Sequence, residues 1–315
     1  MKYGKWLILL MTLCLIFSFA GCGGGGGGGD EPDPPAPETP WLCFTANEAG
    51  STVSTVVIED STPVTPRPAV EYSTDGGTTW HPFVFSYYEW GTMNPISAGT
   101  TVTLEKVGDK MYLRATGQNE AFSEQSLAGA RFIYMKMTGS IAASGNVMSL
   151  LDKSCESKTI PTISEDVYCC FGSLFENCMS LTSAPELPAA TLAPGCYFNM
   201  FVGCEHLYGA PTLPATTLKT GCYMNMFLGC TSLTSAPELP ATVLVDRCYY
   251  SMFNDCVNLK NITVHFTDWN EAENSTKNWV ENILAGGHFY CPAGLVDRTE
   301  DDSKVPTGWT VHDLP

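Results

Sequence analysis

Basic residues are in short supply here. Lys and Arg number 16 against 33 Asp and Glu in 315 residues, and two of the 16, Lys2 and Lys5, fall in a 21-residue opening that holds no acid. So acidic a chain offers no basic patch to a nucleic acid or to an anionic membrane surface, and neither is expected as a partner. Histidine is scarce too: His81, His206, His265, His288 and His312 are dispersed, and none neighbours a plausible nucleophile. A Ser-His-Asp triad needs no adjacency in sequence and stays open on that ground, but no P-loop and no dinucleotide-binding glycine fingerprint occurs. The expectation is a non-enzyme without a cofactor. Charged residues make up only 16% of the chain, while Gly (29) and Pro (21) are plentiful. That balance suits a β-rich or repeat architecture and not a helical one.

The chain opens with Lys2 and Lys5 and then runs from Trp6 to Ala20 almost without polar groups. A positive start followed by an apolar run too short to span a bilayer comfortably is the pattern of a signal peptide. It ends Phe19-Ala20-Gly21-Cys22, which resembles the lipobox of bacterial lipoproteins with Phe where Leu is usual. Cys22 is then the lipidation site, and its acyl chains together would hold the protein to a membrane. Gly23–Gly29 and the proline- and acid-rich Asp30–Pro40 follow. Neither has an apolar face to bury, so residues 22–40 read as a flexible and then extended tether. An acidic stretch after the lipidated Cys also resembles surface-export signals of some Gram-negative anaerobes, although it starts further from the Cys here.

Residues 41 to 130 predict a small, sandwich-like β-domain. LCFTA, STVSTVVI, AVEYS, HPFVF, TVTLE and KMYLRA are short β-branched or aromatic runs broken by Gly, Pro, Asn and Asp. Within them Ser73-Thr74-Asp75-Gly76-Gly77-Thr78-Thr79-Trp80 resembles the Asp-box of sialidase propellers. Its physical content is a hairpin in which Asp75 and two glycines turn the chain and Trp80 folds back as a plug. A single box with scattered arginines (Arg67, Arg114, Arg131) reads as structure and not as an active centre.

From Cys170 a 26-residue phrase recurs: CFGSLFENC (170–178), CYFNMFVGC (196–204), CYMNMFLGC (222–230) and CYYSMFNDC (248–256). A fixed period in this range predicts stacked coils that bury a core only against their neighbours. The columns are Phe175/Phe201/Phe227/Phe253, Leu181/Leu207/Leu233/Leu259 and Leu192/Leu218/Leu244. The CYxxMF half suits a turn of α- or 3₁₀-helix, the LTSAP half a short strand. Residues 131–169 read as an irregular first coil. From His265 the period stops, Ser275–Leu284 reads as a short helix ended by Gly286-Gly287, and HFYCP and GWTVH read as strands of a cap over 266–315.

The phrase L-T-S-A-P-x-L-P-A-x-x-L followed by C-Y-x-x-M-F-x-G-C resembles BspA-like leucine-rich repeats of surface lipoproteins from Gram-negative gut anaerobes. The resemblance covers residues 131–265 and implies a short solenoid of 26-residue coils with a parallel sheet on one side. Pro185, Pro211 and Pro237 depart from the family's pattern by sitting inside the strand. Proline donates no ladder hydrogen bond, so the sheet is expected to be narrow, about four residues per coil.

Twelve cysteines remain once Cys14 and Cys22 are set aside. In stacked coils like residues lie ~4.8 Å apart with parallel Cβ directions, whereas a disulfide wants converging Cβ atoms ~3.8 Å apart. Thiols packed as small apolar residues fit this best. A disulfide within a coil, for instance Cys196 to Cys204, stays open, and zinc would want CxxC-like pairs that Cys169-Cys170 does not supply. No metal is expected.

Positions that vary between coils mark the candidate binding stripe: Thr182, Tyr208, Thr234 and Lys260 on the short strand, and Glu186, Thr212 and Glu238 beyond it. The resemblance implies an adhesion-type, outer-membrane lipoprotein facing the cell exterior, whose partner is a host or bacterial surface protein or glycan. The alternative is a glycan-capturing accessory lipoprotein of a polysaccharide-uptake system, with Tyr87, Tyr88 and Trp90 of the β-domain stacking on sugar rings.

Overall fold

A computed structural model describes residues 40–59, 66–89, 95–125, 129–163, 169–270 and 274–314. The signal segment, Cys22, most of the tether and Trp90 lie outside them. Among the described residues fifteen strands and a single 3₁₀ turn, Val147–Leu150, are the regular elements. That turn is capped by the Asn146 side chain, which accepts from the Met148 amide at 2.8 Å.

Two sheets form where alternating β-branched and apolar residues occur. The first runs β12 (Leu181–Ser183), β11 (Ile141–Ser144), β1 (Leu42–Ala46), β8 (Lys110–Ala115), β3 (Val70–Ser73) and β4 (His81–Pro82). The second runs β6 (Pro95–Ser97), β5 (Ser86–Glu89), β2 (Ser51–Glu59), β10 (Ala130–Thr138) and β9 (Glu124–Gln125), with β7 (Val102–Leu104) also paired to β2. Strand β8 shows the alternation plainly: Met111, Leu113 and Ala115 are buried while Lys110, Tyr112 and Arg114 point away from the core. Strand β10 pairs with β2 along Arg131–Thr138, and β11 pairs with β1. The sheets therefore run on past residue 130 into the stretch that precedes the repeats. Most pairs are antiparallel, but β2–β5 and β11–β12 are parallel, so both sheets are mixed.

The repeats correct two expectations. They carry no continuous parallel sheet: β12 and β13 (Asn261–Thr263) are the strands within them, and these belong to different sheets. The third sheet is β13, β14 (His288–Pro292) and β15 (Thr310–Leu314), all parallel. The leucine-rich-repeat solenoid is thus overturned. Over the described residues the protein is a β-rich, nearly helix-free fold with three sheets, none of them closed. The prolines supply a physical reason, since Pro185, Pro211 and Pro237 are buried in each phrase and cannot donate to a ladder.

The Cys-aromatic halves are not helical either. Every fourth residue adopts a left-handed conformation: Ser173 and Asn177, Asn199 and Gly203, Asn225 and Gly229, Ser251 and Asp255. A right-handed helix cannot pass through such positions. Backbone amides alternate instead. Cys196, Phe198, Met200, Val202 and Cys204 donate three residues back, while Tyr197, Asn199, Phe201 and Gly203 donate to Cys222, Met224, Met226 and Leu228 of the next turn. The same weave continues where a helix was expected at Ser275–Leu284, because Tyr249, Ser251, Phe253 and Asp255 donate to Ser275, Lys277, Trp279 and Glu281. Asn274, Asn278 and Asn282 supply the left-handed positions there.

Like side chains consequently lie over like. Phe175, Phe201, Phe227 and Phe253 stack at 5.4, 5.6 and 5.8 Å, with planes within 4° of parallel. Phe171, Tyr197, Tyr223 and Tyr249 form a second ladder at 5.8–6.0 Å. A cluster at Trp269, Trp279, Phe266 and Phe289 ends the ladders. Phe44 of β1 meets Phe175 at 6.3 Å, joining sheet core and ladder in one apolar interior.

The described cysteines are all thiols, and those of the repeats sit among these ladders. Cys178, Cys204, Cys230 and Cys256 donate to the carbonyls of Met135, Phe175, Phe201 and Phe227 at 3.0–3.2 Å. Burial pushes the pKa of Cys170, Cys178 and Cys230 up to about 12. A neutral thiol that donates to a carbonyl is poorly suited to bind a metal or act as a nucleophile.

Candidate binding face

The stripe residues divide by what holds them. Thr182 is tied down: its hydroxyl donates to the Ile141 carbonyl at 3.0 Å and accepts from Asn47 at 2.9 Å. Tyr208 donates its amide to the Thr182 carbonyl, and its side chain is 60% exposed. Thr234 is exposed and its carbonyl accepts from the Lys260 amide at 2.9 Å. Lys260 is half-buried, with its ammonium 3.4 Å from the Ala285 carbonyl.

Alternation places the second row. In each Ala-Pro-x-Leu-Pro run the first Pro and the Leu are buried, with Leu187, Leu213 and Leu239 at most 4% exposed. The intervening Glu186, Thr212 and Glu238 therefore point outward and are exposed. Glu186 is held by its backbone, its amide donating to the Gly145 carbonyl at 2.8 Å. Thr212 and Glu238 share an open depression of about 320 Å³, lined by Pro211, Thr212 and Pro214 from one turn and Pro237, Glu238 and Pro240 from the next. The Glu238 carboxylate also meets Nε2 of His265 at 2.6 Å. The stripe reading missed His265, which lies 27 residues after Glu238, one beyond the repeat, so a strict 26-residue register passes over it.

The Asp-box is a closed hairpin. Asp75 Oδ1 accepts from the Ser73 hydroxyl and the Thr78 and Thr79 amides at 2.7–3.0 Å, and Oδ2 accepts from the Thr79 hydroxyl. These bonds, the Thr79 hydroxyl foremost, hold the carboxyl pKa well below the usual range. Trp80 Nε1 donates to the Gly77 carbonyl at 2.9 Å, and its ring meets Trp41 edge to face at 4.9 Å. The Arg114 guanidinium lies 3.6 Å over Trp80 and pairs with Glu71 at 2.8 Å. Arg67 pairs with Glu59, and Arg131 with Glu124 in the interior. Each of the three arginines thus has its own carboxylate. Arg67 also lies 4.6 Å over the ring of Tyr87, one of the aromatics considered for sugar stacking.

Among the described residues no group of three or more His, Cys, Asp and Glu is placed to hold a metal ion, and no helix is long and apolar enough to cross a membrane. No protein-family model matches the chain, and no curated protein or solved structure matches it.

Proposed function

We propose that this protein is a non-enzymatic binding protein held at the cell surface through a lipid on Cys22. Its ligand would be a host or bacterial surface protein or glycan, met in an adhesion-type contact on the face that carries Tyr208, Thr212, Thr234 and Glu238. One observation carries the reading. The proline-lined depression between neighbouring turns contains Thr212 and Glu238, two of the positions that vary from turn to turn. The walls are rigid, because Pro fixes its own backbone, and a preorganised surface spends little conformational entropy on binding. The anchor and the outward orientation rest on the sequence around Cys22 and on the acidic tether.

The test is a screen of the purified chain against matrix proteins, mucins and glycan arrays, repeated with Thr212→Arg and Glu238→Lys. Binding that falls about tenfold or more in either variant, a typical effect at a central contact residue, supports the reading. A chain that binds nothing on these surfaces, or variants that bind as well as the parent, overturn it.

A further inference from the structure

Two of the five histidines converge in the third sheet, and neither lines the proline-walled depression. His288 opens β14 and His312 lies in β15, and the two strands are parallel partners with Tyr290 opposite His312. His288 Nδ1 and His312 Nε2 are 3.0 Å apart. The pair is held from several sides. The His288 amide donates to the Lys260 carbonyl at 2.8 Å, and Tyr290 stacks on the His312 ring at 4.8 Å with planes 18° apart. Pleating turns the neighbouring charges away. Asp313 follows His312 and so faces the other side of the sheet, where it pairs with Arg298 at 2.6 Å. The Lys260 ammonium is occupied at the Ala285 carbonyl.

We propose that His288 and His312 form a two-nitrogen chelate for a divalent first-row transition-metal ion, with the remaining coordination positions open to water or to a ligand. The spacing selects the kind of ion. At metal–nitrogen lengths of about 2.0–2.1 Å, two nitrogens 3.0 Å apart subtend roughly 91–97° at the ion. Tetrahedral zinc would want them about 3.3–3.4 Å apart, whereas right-angled positions are those of tetragonal or octahedral Ni²⁺ and Cu²⁺. In the free protein one ring donates its proton to the other. For both facing nitrogens to bind an ion, each neutral ring carries its proton on the far nitrogen, Nε2 of His288 and Nδ1 of His312. An excess of 33 acidic over 16 basic residues favours the approach of a cation. The chelate lies outside the proline-lined depression, so neither idea depends on the other.

The probe is Ni²⁺ alone. The untagged chain is titrated with NiCl₂ by calorimetry and passed over an iminodiacetate resin charged with Ni²⁺. A single ion taken up per chain, with affinity reduced about tenfold or more by His288→Gln and by His312→Gln, is the expected result. His265→Gln is expected to leave uptake unchanged. Circular dichroism of each variant confirms that it is folded. Failure of the parent chain to take up Ni²⁺ overturns the proposal, as does undiminished uptake in the folded His288→Gln/His312→Gln double variant or a loss in His265→Gln as large as theirs.

Discussion

Phe201 lies face to face with Phe227, ring centroids 5.6 Å apart and planes 4° from parallel, although 26 residues separate them in sequence. The Phe201 amide reaches the carbonyl of Met226, the residue before its partner, at 2.9 Å. Ring and backbone therefore set the same register. Phe227 repeats the arrangement with Phe253 at 5.8 Å and is fully buried. Phe227→Ala removes both ring contacts at once and leaves a cavity where the turns on either side are already fixed. A loss of about 3–5 kcal/mol is expected in denaturant unfolding. Phe227→Leu, which fills more of the volume, is expected to cost clearly less.

The weave requires a left-handed residue at every fourth position, and Asn225 (φ 56°) is one that also bonds sideways. Its amide nitrogen donates to the Asn199 side-chain oxygen at 3.0 Å. Asn225→Gly keeps the backbone and loses that bond. Asn225→Val loses the bond and forces a β-branched residue into a region that costs about 1–2 kcal/mol per residue. Unfolding of the two variants should place Gly nearer the parent and Val at least about 1 kcal/mol below Gly. The reverse order would contradict the backbone described for the repeats.

Much of this was legible in the sequence and some of it was misread, for physical reasons. The runs LCFTA, STVSTVVI and KMYLRA become β1, β2 and β8 because alternation and β-branching act locally. HFYCP likewise becomes β14, and GWTVH overlaps β15 over Thr310–His312. The Asp-box closes as its residue types require. The spacing of the CYxxMF blocks suits a 3.6-residue period equally well, which is why a helical turn is the expectation there. The deciding signal was the Asn, Ser, Asp or Gly at every fourth position, residues that tolerate left-handed backbone. The same signal runs through Asn274, Asn278 and Asn282, where the aromatic column is broken by Trp279 and a helix was expected. The narrow parallel sheet implied by the resemblance does not form as a continuous ladder, since Pro185, Pro211 and Pro237 interrupt pairing more completely than their count in the sequence suggests. In the candidate site, outward Glu186, Thr212 and Glu238 follow from alternation with buried Pro and Leu. The depression and the Glu238–His265 and His288–His312 contacts depend on how separate turns come together, which no local pattern encodes.

The second ladder contains two polar groups that do no visible work. The hydroxyls of Tyr197 and Tyr223 are buried and find no partner among the described residues. A buried polar group left without a hydrogen bond costs about 1–3 kcal/mol, so removing it need not destabilise. Tyr223→Phe keeps the ring in its stack at 5.8 and 6.0 Å from its neighbours. Its stability should equal the parent's or exceed it by up to about 1 kcal/mol. A loss larger than that in chemical unfolding would reveal a bond to the hydroxyl.

Thiol chemistry offers a fourth check on the stack. Of the twelve described cysteines only Cys155 is not buried. Its pKa is pushed up to about 11 by partial burial and, next, by Asp152. Iodoacetamide on the native chain at about pH 8 should mark Cys155 first and slowly, since only the thiolate reacts, and each unit of added pH should speed it about tenfold. Unfolding should release the others together. Peptide mass spectrometry gives the order, and early labelling of Cys204 or Cys230 in the folded protein would contradict their burial.

Asp75 supplies a prediction with a definite sign in pH. Its carboxylate is the common acceptor for the Ser73 and Thr79 hydroxyls and the Thr78 and Thr79 amides, which hold its pKa below the ordinary value of 3.8. A carboxylate depressed by folding adds stability that is fully present above its unfolded pKa and is lost as pH falls through the folded one. Asp75→Asn removes the charge and should melt below the parent at neutral pH. The gap should hold constant down to about pH 5 and then narrow below about pH 4, where the parent's own carboxylate begins to favour the unfolded chain. Melting curves for both proteins from pH 7 to pH 3 decide the matter. A gap that stays the same across that range would mean that the hairpin depends on the shape of residue 75 and not on its charge.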